Sequence, residues 1–187
     1  METSISVSNE GRWPVGEIAL MKADGSGKRR NLTESGFFDG LAKWAFGGKA
    51  LLWATDRDGK KPLAFQVARE VDIYAMFFDQ EAYDRFVLNK EEFNLLKEKE
   101  DNEKAEEKKD TSKLKIAPPP KDWQPSFEGL ENRKIRLTIN SGNISDYMLS
   151  SDDDKLYFLA RKMQRLGLSV LYPLDFPYHF CHIHTKG

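Results

Sequence analysis

Residues 48–59 read Gly-Lys-Ala-Leu-Leu-Trp-Ala-Thr-Asp-Arg-Asp-Gly, a short apolar run with turn signals on both sides. Gly47-Gly48 precedes the run, and Asp56-Arg57-Asp58-Gly59 closes it. Runs of aliphatic and aromatic side chains between glycine and aspartate turns are typical of β-strands. Ala42-Lys43-Trp44 lies on the other side of Gly47-Gly48, so the sequence predicts a β-hairpin here.

The same pattern of short strands and turns continues on both sides of this hairpin. Upstream, Ile18-Ala19-Leu20-Met21 and Arg30-Asn31-Leu32-Thr33 flank the turn signal Asp24-Gly25-Ser26-Gly27. Downstream, Ile73-Tyr74-Ala75-Met76-Phe77-Phe78 is the next predicted strand and ends at Asp79. We find no helical periodicity in residues 13–88 and therefore predict that this segment is all-β.

The composition changes abruptly between Lys90 and Lys115, where glutamate and lysine dominate and large apolar side chains are few. A tract of this kind buries no core of its own. It is typical either of a solvated helix with i,i+4 ion pairs or of a disordered linker, and Pro118-Pro119-Pro120 then stops any helix. We interpret residues 89–122 as a charged and proline-rich linker.

Strand patterns return after Trp123 and echo the first segment. The predicted strands cover 134–138, 147–149 and 155–160. Arg136-Leu137-Thr138 matches Asn31-Leu32-Thr33 at an offset of 105 residues, and 154–159 matches 48–53 at an offset of 106. A strand that ends in Leu-Thr, followed by a polar stretch and a turn-Lys strand, is the pattern expected of repeated four-stranded blades.

These motifs resemble the propeller repeat shared by TolB-like proteins and tricorn-type serine peptidases. The matching motifs are Ala23-Asp24-Gly25-Ser26-Gly27, Asn31-Leu32-Thr33, Lys43-Trp44, Gly48-Lys49 and 53–59. Bacterial tricorn-like peptidases are similar over further motifs in the same order, at 72–79, 82–86, the Glu/Lys tract, 135–141 and 155–161. Together the resemblance covers roughly residues 15–161.

The resemblance implies an all-β fold of incomplete β-propeller blades, in two partial propeller segments joined by a charged, partly helical or disordered linker. In that family two propellers precede a helical segment, a PDZ-like domain and the catalytic domains. The chain then divides into a first-propeller segment (1–88), the linker (89–122), the start of a second propeller (123–161) and a tail without family counterpart (162–187). Because the family pattern stops at Arg161, we hypothesise that the tail comes from a frameshift or a rearranged gene end.

The function implied by the resemblance is that of a non-catalytic fragment whose intact parent hydrolyses peptides, with the propellers channelling or filtering substrate. On this interpretation the chain is not an enzyme, and its partners are peptides or proteins, with self-association through exposed β edges. One alternative is a stand-alone protein-interaction module with no peptidase role. Another is an enzyme with an unrecognised site in the tail.

The charge balance argues against two classes of partner. The chain carries 29 basic and 30 acidic residues, so no strong field of one sign attracts nucleic acid or an anionic membrane. No apolar run approaches the length of a membrane span, and residues 1–13 lack the profile of a signal peptide. The single cysteine, Cys181, excludes an internal disulfide framework and leaves the compartment open.

No sequence pattern predicts a catalytic residue or a cofactor, so we expect neither. Gly25-Ser26-Gly27-Lys28 lacks the glycine spacing and the following helix of a phosphate-binding loop, which favours a hairpin turn. None of the serines lies in a Gly-x-Ser-x-Gly elbow, and the three histidines crowd into the tail. The serines considered are Ser35, Ser141, Ser145, Ser150 and Ser151.

The candidate metal ligands and stacking aromatics each have a simpler interpretation. His179, Cys181, His182 and His184 are chemically suited to zinc, but ligands this close together need a distant fourth group, so we expect no physiological metal site. Asp152-Asp153-Asp154 and residues 56–59 lack the twelve-residue calcium pattern and are interpreted as turns. The aromatic side chains, without a basic patch, are interpreted as core: Trp13, Trp44, Trp53, Phe77 and Phe78.

Overall fold

The computed structural model describes residues 3–8, 16–60, 69–104, 123–151, 153–161 and 169–175. The strands in these ranges are β1 (Thr3–Ser8), β2 (Glu17–Lys22), β3 (Arg30–Asn31), β4 (Asp39–Ala45), β5 (Ala50–Thr55), β6 (Asp72–Phe77), β7 (Lys134–Arg136), β8 (Ile144–Leu149), β9 (Lys155–Arg161) and β10 (Ser169–Asp175). The helices are α1 (Gln80–Val87) and α2 (Lys90–Lys104). The described residues are thus mostly β-strands with few helices, which confirms the all-β prediction.

Three antiparallel sheets follow one another along the chain. Sheet I contains β1–β3, sheet II contains β4–β7, and sheet III contains β8–β10. The turn signals at 24–27 and at Gly47-Gly48 lie in the predicted hairpins, between β2 and β3 and between β4 and β5. Gly25 and Gly27 have φ values of 74° and 85°, a conformation that glycine adopts at little cost.

The outermost strand of sheet II comes from beyond the charged tract. β6 pairs with β5 over its whole length and with the short strand β7 through the pair Tyr74↔Arg136 and its neighbours. Between β6 and β7 the chain forms α1 and α2 and passes through the tract. The Glu/Lys tract therefore lies in the connection between two neighbouring strands of one sheet.

Both faces of sheet II are covered by other sheets. Side chains on alternate positions of β5 and β6 divide between two hydrophobic clusters, as the two-residue period of a strand requires. The face toward sheet I contributes to a cluster of Ile18, Leu20, Leu32, Leu51, Trp53, Met76, Phe78 and Leu130. The face toward sheet III contributes Leu52, Ala54, Ile73, Ala75 and Phe77, which pack with Ile144, Tyr147, Leu156 and Ala160. The three sheets therefore form a stack with sheet II in the middle.

The edge strands β4 of sheet II and β8 of sheet III each contain a β-bulge, and their side chains contact each other. The register shifts between Gly40 and Lys43 in β4, and between Ile144 and Asp146 in β8. The Tyr147 hydroxyl donates to the Leu41 carbonyl, and Lys43 Nζ lies 2.6 Å from Asp146 Oδ1. Bulges and charged side chains at an edge hinder pairing with another strand.

Helix α1 corrects the prediction that residues 13–88 contain no helix. The Asp79 side chain accepts a hydrogen bond from the Ala82 amide at 2.7 Å and so caps the helix. Ala82 and Phe86, four residues apart, are buried on one face. At α2, Asn89 and Glu92 exchange side-chain to backbone hydrogen bonds as a capping box, which selects the helical alternative for residues 90–104.

The two Leu-Thr motifs make the same hydrogen bonds in sheets I and II. The Leu32 amide donates to the Ile18 carbonyl, and the Ile18 amide donates to Thr33 Oγ1 at 3.1 Å. The Leu137 amide likewise donates to the Ile73 carbonyl, and the Ile73 amide to Thr138 Oγ1 at 3.2 Å. All four of these Leu and Thr residues are buried.

The offset of 106 between 48–53 and 154–159 is wrong by one residue. The Asp56 amide bonds to the Phe38 carbonyl, and the Arg161 amide bonds to the Asn143 carbonyl, which places equivalent positions 105 residues apart. At this offset Leu51 corresponds to Leu156, and each of them faces the preceding sheet. An alignment on the Lys-Leu pattern, at an offset of 106, would assign every side chain of the strand to the opposite face, because successive residues of a strand alternate between faces.

The predicted tail contributes one strand to sheet III. Strand β10 lies within the tail that begins at Lys162, and it pairs with β9 in register from Ser169↔Arg161 to Asp175↔Lys155.

Neither helix in the described part of the chain is long and apolar enough to cross a lipid bilayer.

Candidate functional site

A row of buried polar residues crosses one end of sheet II. Strand register places Asp39 opposite Thr55 and Thr55 opposite Asp72. Their exposed fractions are 1%, 1% and 0%. Two buried carboxylates in one row of a sheet are unusual, because burial of a charge is costly unless it is paired and hydrogen-bonded. We call this part of the molecule the polar end of sheet II.

Asp39 and Asp72 each accept several hydrogen bonds. Asp39 accepts from the Trp53 indole nitrogen at 3.0 Å and from the Ser35 hydroxyl. Asp72 accepts from Arg136 Nη2, Thr138 Oγ1 and Ser141 Oγ, at 2.8, 2.8 and 2.7 Å. The charge-assisted bond from Arg136 offsets much of the cost of burying the Asp72 carboxylate.

Two aspartates in the turn after β5, Asp56 and Asp58, make further contacts at the same end of the sheet. Asp56 accepts from the Phe38 amide at 2.9 Å and forms an ion pair with Arg69. The Tyr74 hydroxyl donates to the Asp58 carboxylate. Burial, together with this hydrogen bond and the charge of Asp58, raises the pKa of Tyr74 to about 12. The Tyr74 phenol is therefore neutral and a hydrogen-bond donor at physiological pH.

Three buried polar atoms at this end have no hydrogen-bond partner among the described residues. They are Thr55 Oγ1, Arg57 Nε and Arg136 Nε. The Arg57 guanidinium lies 5.9 Å from the Tyr74 ring centroid, and Arg136 is the cross-strand neighbour of Tyr74. Unsatisfied groups of this kind are bridged by an ordered water in many proteins. The polar end is thus a network of buried polar groups that are mostly hydrogen-bonded to one another.

A shallow groove lies between sheet I and the segment 127–131. Its volume is about 250 Å³. The Arg30 guanidinium lies 4.2 Å from the Phe127 ring centroid on one side, and Glu34 and Glu131 line the other parts. The volume is below the roughly 300–1,000 Å³ of typical small-molecule sites, and the lining carries charges of both signs. These features do not select a class of small molecule.

Arg133 fixes the chain next to this groove. Its exposed fraction is 5%, and its guanidinium donates to the carbonyls of Phe77, Ser126 and Glu128 at 2.9 to 3.0 Å. Arg133 Nη1 also donates to Gln80 Oε1 at 3.2 Å. One side chain therefore donates hydrogen bonds to three main-chain carbonyl oxygens. Arg133 therefore has a structural role in joining the 126–133 segment to β6 and α1.

The residues considered for nucleotide binding and nucleophilic chemistry have structural partners. In residues 25–28, the Ser26 amide donates to Asp24 Oδ1 at 2.8 Å within the hairpin turn, which also lowers the pKa of Asp24. Ser141 bonds to Asp72, and Ser145 donates to the Leu159 carbonyl at 3.2 Å. The remaining serine contacts are Ser35 with Asp39 and Ser150 with Asp154, whereas Ser151 lies in an exposed turn.

The residues considered for metal binding and stacking fall into three groups. His179, Cys181, His182, His184, Asp152 and Trp13 lie outside the described residues. In the part of the chain that the structure covers, no group of His, Cys, Asp or Glu side chains is arranged to hold a metal ion. Trp53, Phe77 and Phe78 are fully buried and Trp44 packs against Phe78, so these aromatics are core as predicted.

Sequence reasoning did not anticipate the pairing of Asp39 and Asp72 with distant donors. Each is a single aspartate at the end of an apolar strand, which a sequence also shows at ordinary turns. Only the strand register shows that they flank Thr55. No family model, curated protein or solved structure matches the chain.

Proposed function

We propose that this chain is a non-catalytic run of β-propeller blades from a tricorn-like peptidase, whose propellers channel or filter peptides. The observation that carries the blade interpretation is the repeated hydrogen bonding of the two Leu-Thr motifs, at Thr33 and Thr138. Because of these hydrogen bonds, the short strand β3 of sheet I and the short strand β7 of sheet II end in the same way. A propeller is built from successive four-stranded antiparallel sheets stacked face to face, and among the described sheets, sheet II has four strands while sheets I and III have three each.

The strand pairing across the Glu/Lys tract favours one propeller for all three sheets. β7 follows the tract but completes sheet II, whose other strands precede it. Sheet III then follows β7 directly and covers sheet II. The peptidase assignment itself rests on the resemblance of the motifs. The serines at the polar end support a non-catalytic role, because they bond to carboxylates within the network.

Sequencing of the encoding locus tests the peptidase assignment. We expect adjoining reading frames that encode further blade repeats and a serine peptidase domain. We also expect the purified chain alone to hydrolyse no peptide in a fluorogenic assay. A locus without peptidase or blade sequences would contradict the proposed parent. Hydrolysis that co-purifies with the chain would contradict the non-catalytic role and favour an unrecognised active site.

A further inference from the structure

Arg57 is a charged side chain at the polar end of sheet II that has no carboxylate of its own. It lies in the turn after β5 and is half-buried. Its guanidinium lies 5.6 Å from the Phe37 ring centroid and 5.9 Å from the Tyr74 ring centroid. Its Nε is buried and bonds to no described residue. In contrast to Arg69 and Arg136, Arg57 forms no ion pair within the described part of the chain.

Arg136 places a second guanidinium beside the same tyrosine. Strand register sets Arg136 directly across from Tyr74. Arg136 Nη2 bonds to Asp72 and Ser141, at 2.8 and 3.2 Å. The buried Nε of Arg136 has no hydrogen-bond partner among the residues that the structure covers, and the side chain is 33% exposed. Two guanidinium groups with a buried, unpaired Nε therefore lie next to Tyr74.

The charges of both guanidinium groups reach the Tyr74 hydroxyl. Burial, the hydrogen bond to Asp58 and the charge of Asp58 raise the pKa of Tyr74, and the charges of Arg136 and Arg57 act in the opposite direction. Coulombic effects weaken with distance, so both cations lie close to the phenol oxygen. Asp58 is bonded to the Tyr74 hydroxyl and Asp72 to Arg136, which leaves Arg57 as the cation without a carboxylate.

These properties favour an anion as the partner of Arg57, and a carboxylate among anions. A water molecule accepts a hydrogen bond but does not neutralise the guanidinium charge. The planar fork of a guanidinium matches the two oxygens of a carboxylate, which makes paired, charge-assisted hydrogen bonds. A doubly charged phosphate fits less well, because the Asp58 and Asp72 carboxylates lie close by and repel the second charge.

We propose that Arg57, with Arg136 beside it, binds a carboxylate group of a ligand next to Tyr74. The Arg57 guanidinium donates to both oxygens, and the rings of Phe37 and Tyr74 restrict its orientation. The carboxylate belongs to a free organic acid or to an acidic side chain of a peptide, since both present the same group. The inference goes beyond the proposed function and holds with or without a peptidase parent.

Titration with sodium acetate tests the site, followed by proton–nitrogen NMR of the arginine Nε–Hε groups. Acetate replaces chloride at constant ionic strength, so that screening stays the same. We expect the Arg57 and Arg136 resonances to shift along one saturable curve with a Kd on the order of 1 mM. A shift that rises linearly without saturation would overturn the proposal.

Arg57→Gln should weaken acetate binding at least about tenfold, read on the Arg136 resonance, because it removes both the charge and the fork. Arg57→Lys keeps the charge without the fork and should also weaken binding. Either variant binding like the unmodified chain would contradict recognition by the Arg57 guanidinium.

Arg30→Gln is the matched control. Arg30 also lies over an aromatic ring, 4.2 Å from the Phe127 centroid, but it lines the groove beside sheet I. The acetate titration of the Arg57 resonance should be unchanged in this variant. Far-ultraviolet circular dichroism establishes that each variant retains its strands.

Two tripeptides with blocked ends distinguish the sources of the carboxylate. One has a central glutamate and the other a central glutamine. Tighter binding of the glutamate peptide than of acetate assigns the site to acidic peptides, and equal or weaker binding assigns it to free organic acids. A glutamine peptide that binds as well as the glutamate peptide would overturn the carboxylate proposal. These outcomes are independent of the locus sequence, which decides the peptidase assignment alone.

Discussion

Thr33 and Thr138 extend two very short strands by one side-chain hydrogen bond each. β3 and β7 contain two and three residues, and the next backbone amide of the neighbouring strand would lack a partner beyond them. The threonine hydroxyl takes that place by accepting from Ile18 or Ile73. Thr138 also donates to Asp72, which links the strand ending to the polar end of sheet II.

The Thr138 hydroxyl is the first target for substitution. Thr138→Val keeps the shape of the side chain but leaves the buried Ile73 amide unpaired, so we expect a loss of about 1–3 kcal/mol in the free energy of unfolding. Thr138→Ser retains the oxygen and should lose less. Urea unfolding measures both. A larger loss for serine than for valine would show that the methyl group, and not the hydroxyl, provides the stability.

Tyr74 gives the protein a pH dependence at the alkaline end. Its pKa is raised to about 12 in the folded state from 10.0, by burial and then by Asp58. The folded state therefore favours the protonated phenol, and the associated stability is complete below pH 10 and is lost between pH 10 and about 12.

Phenolate absorbance in an alkaline titration identifies this group, because Tyr74→Phe removes its transition. Asp58→Asn removes the acceptor charge and should shift the transition of Tyr74 to lower pH. Asp24→Asn, a change in the exposed turn between β2 and β3, is the control and should leave it in place. An unchanged transition in Asp58→Asn would mean that burial alone raises the pKa.

At the scale of elements, α1 depends on its cap. Asp79 Oδ1 accepts from the Ala82 amide, and Oδ2 accepts from the Trp123 indole at 3.3 Å. Asp79→Ala should reduce the free energy of unfolding by about 1 kcal/mol, whereas Asp79→Asn keeps a capping oxygen and should cost less. Urea unfolding followed by circular dichroism compares the two. Equal effects would indicate that the charge of Asp79, rather than the cap, stabilises α1.

The hairpins were predictable from sequence because their turns are local. Residues 24–27 and Gly47-Gly48 specify a reversal of the chain by their own backbone preferences.

Helix α1 was missed in the sequence. Asp79, followed by Ala82 and Phe86 at i,i+4 spacing, is a helix signal, but the apolar run 73–78 directly before it dominates the pattern. The register error of one residue arose because Lys49 and Lys155 look equivalent, while only the hydrogen bonds of Phe38 and Asn143 fix the alignment.

At the scale of the whole molecule, stability should decrease from the middle of the stack outward. Sheet II is buried on two faces, whereas the described side chains of sheets I and III have a neighbouring sheet on one face only. In arrays held by nearest-neighbour contacts, a unit with two neighbours opens less readily than a unit with one.

Hydrogen exchange measures this gradient. We expect the amides of β5 and β6 to exchange most slowly, and those of β2 and β9 to exchange sooner. The comparison is made at low protein concentration, so that contacts between copies do not protect amides. Uniform protection across the three sheets would show that the described residues unfold as one cooperative unit.

The pairing of β7 with β6 was beyond the sequence, because the Glu/Lys tract between them suggests a boundary. The composition of residues 90–115 indicates only that this tract builds no core of its own. The same composition is compatible with flanking strands that belong to separate sheets and with flanking strands that pair in one sheet. Likewise, nothing local marks Lys134 as a residue whose ammonium group reaches the Leu32 carbonyl of sheet I at 3.0 Å. Such long-range contacts become visible only when the strands are assembled.

The position of β7 also affects how the protein is made. A nascent chain emerging from the ribosome delivers β4, β5 and β6 early, but β7 only after α1, α2 and the charged tract have been synthesised. At a usual pace of roughly 5–20 residues per second, the growing polypeptide therefore holds β6 as an open edge for several seconds. During that interval a chaperone has a defined stretch of backbone to protect, from Asp72 to Phe77.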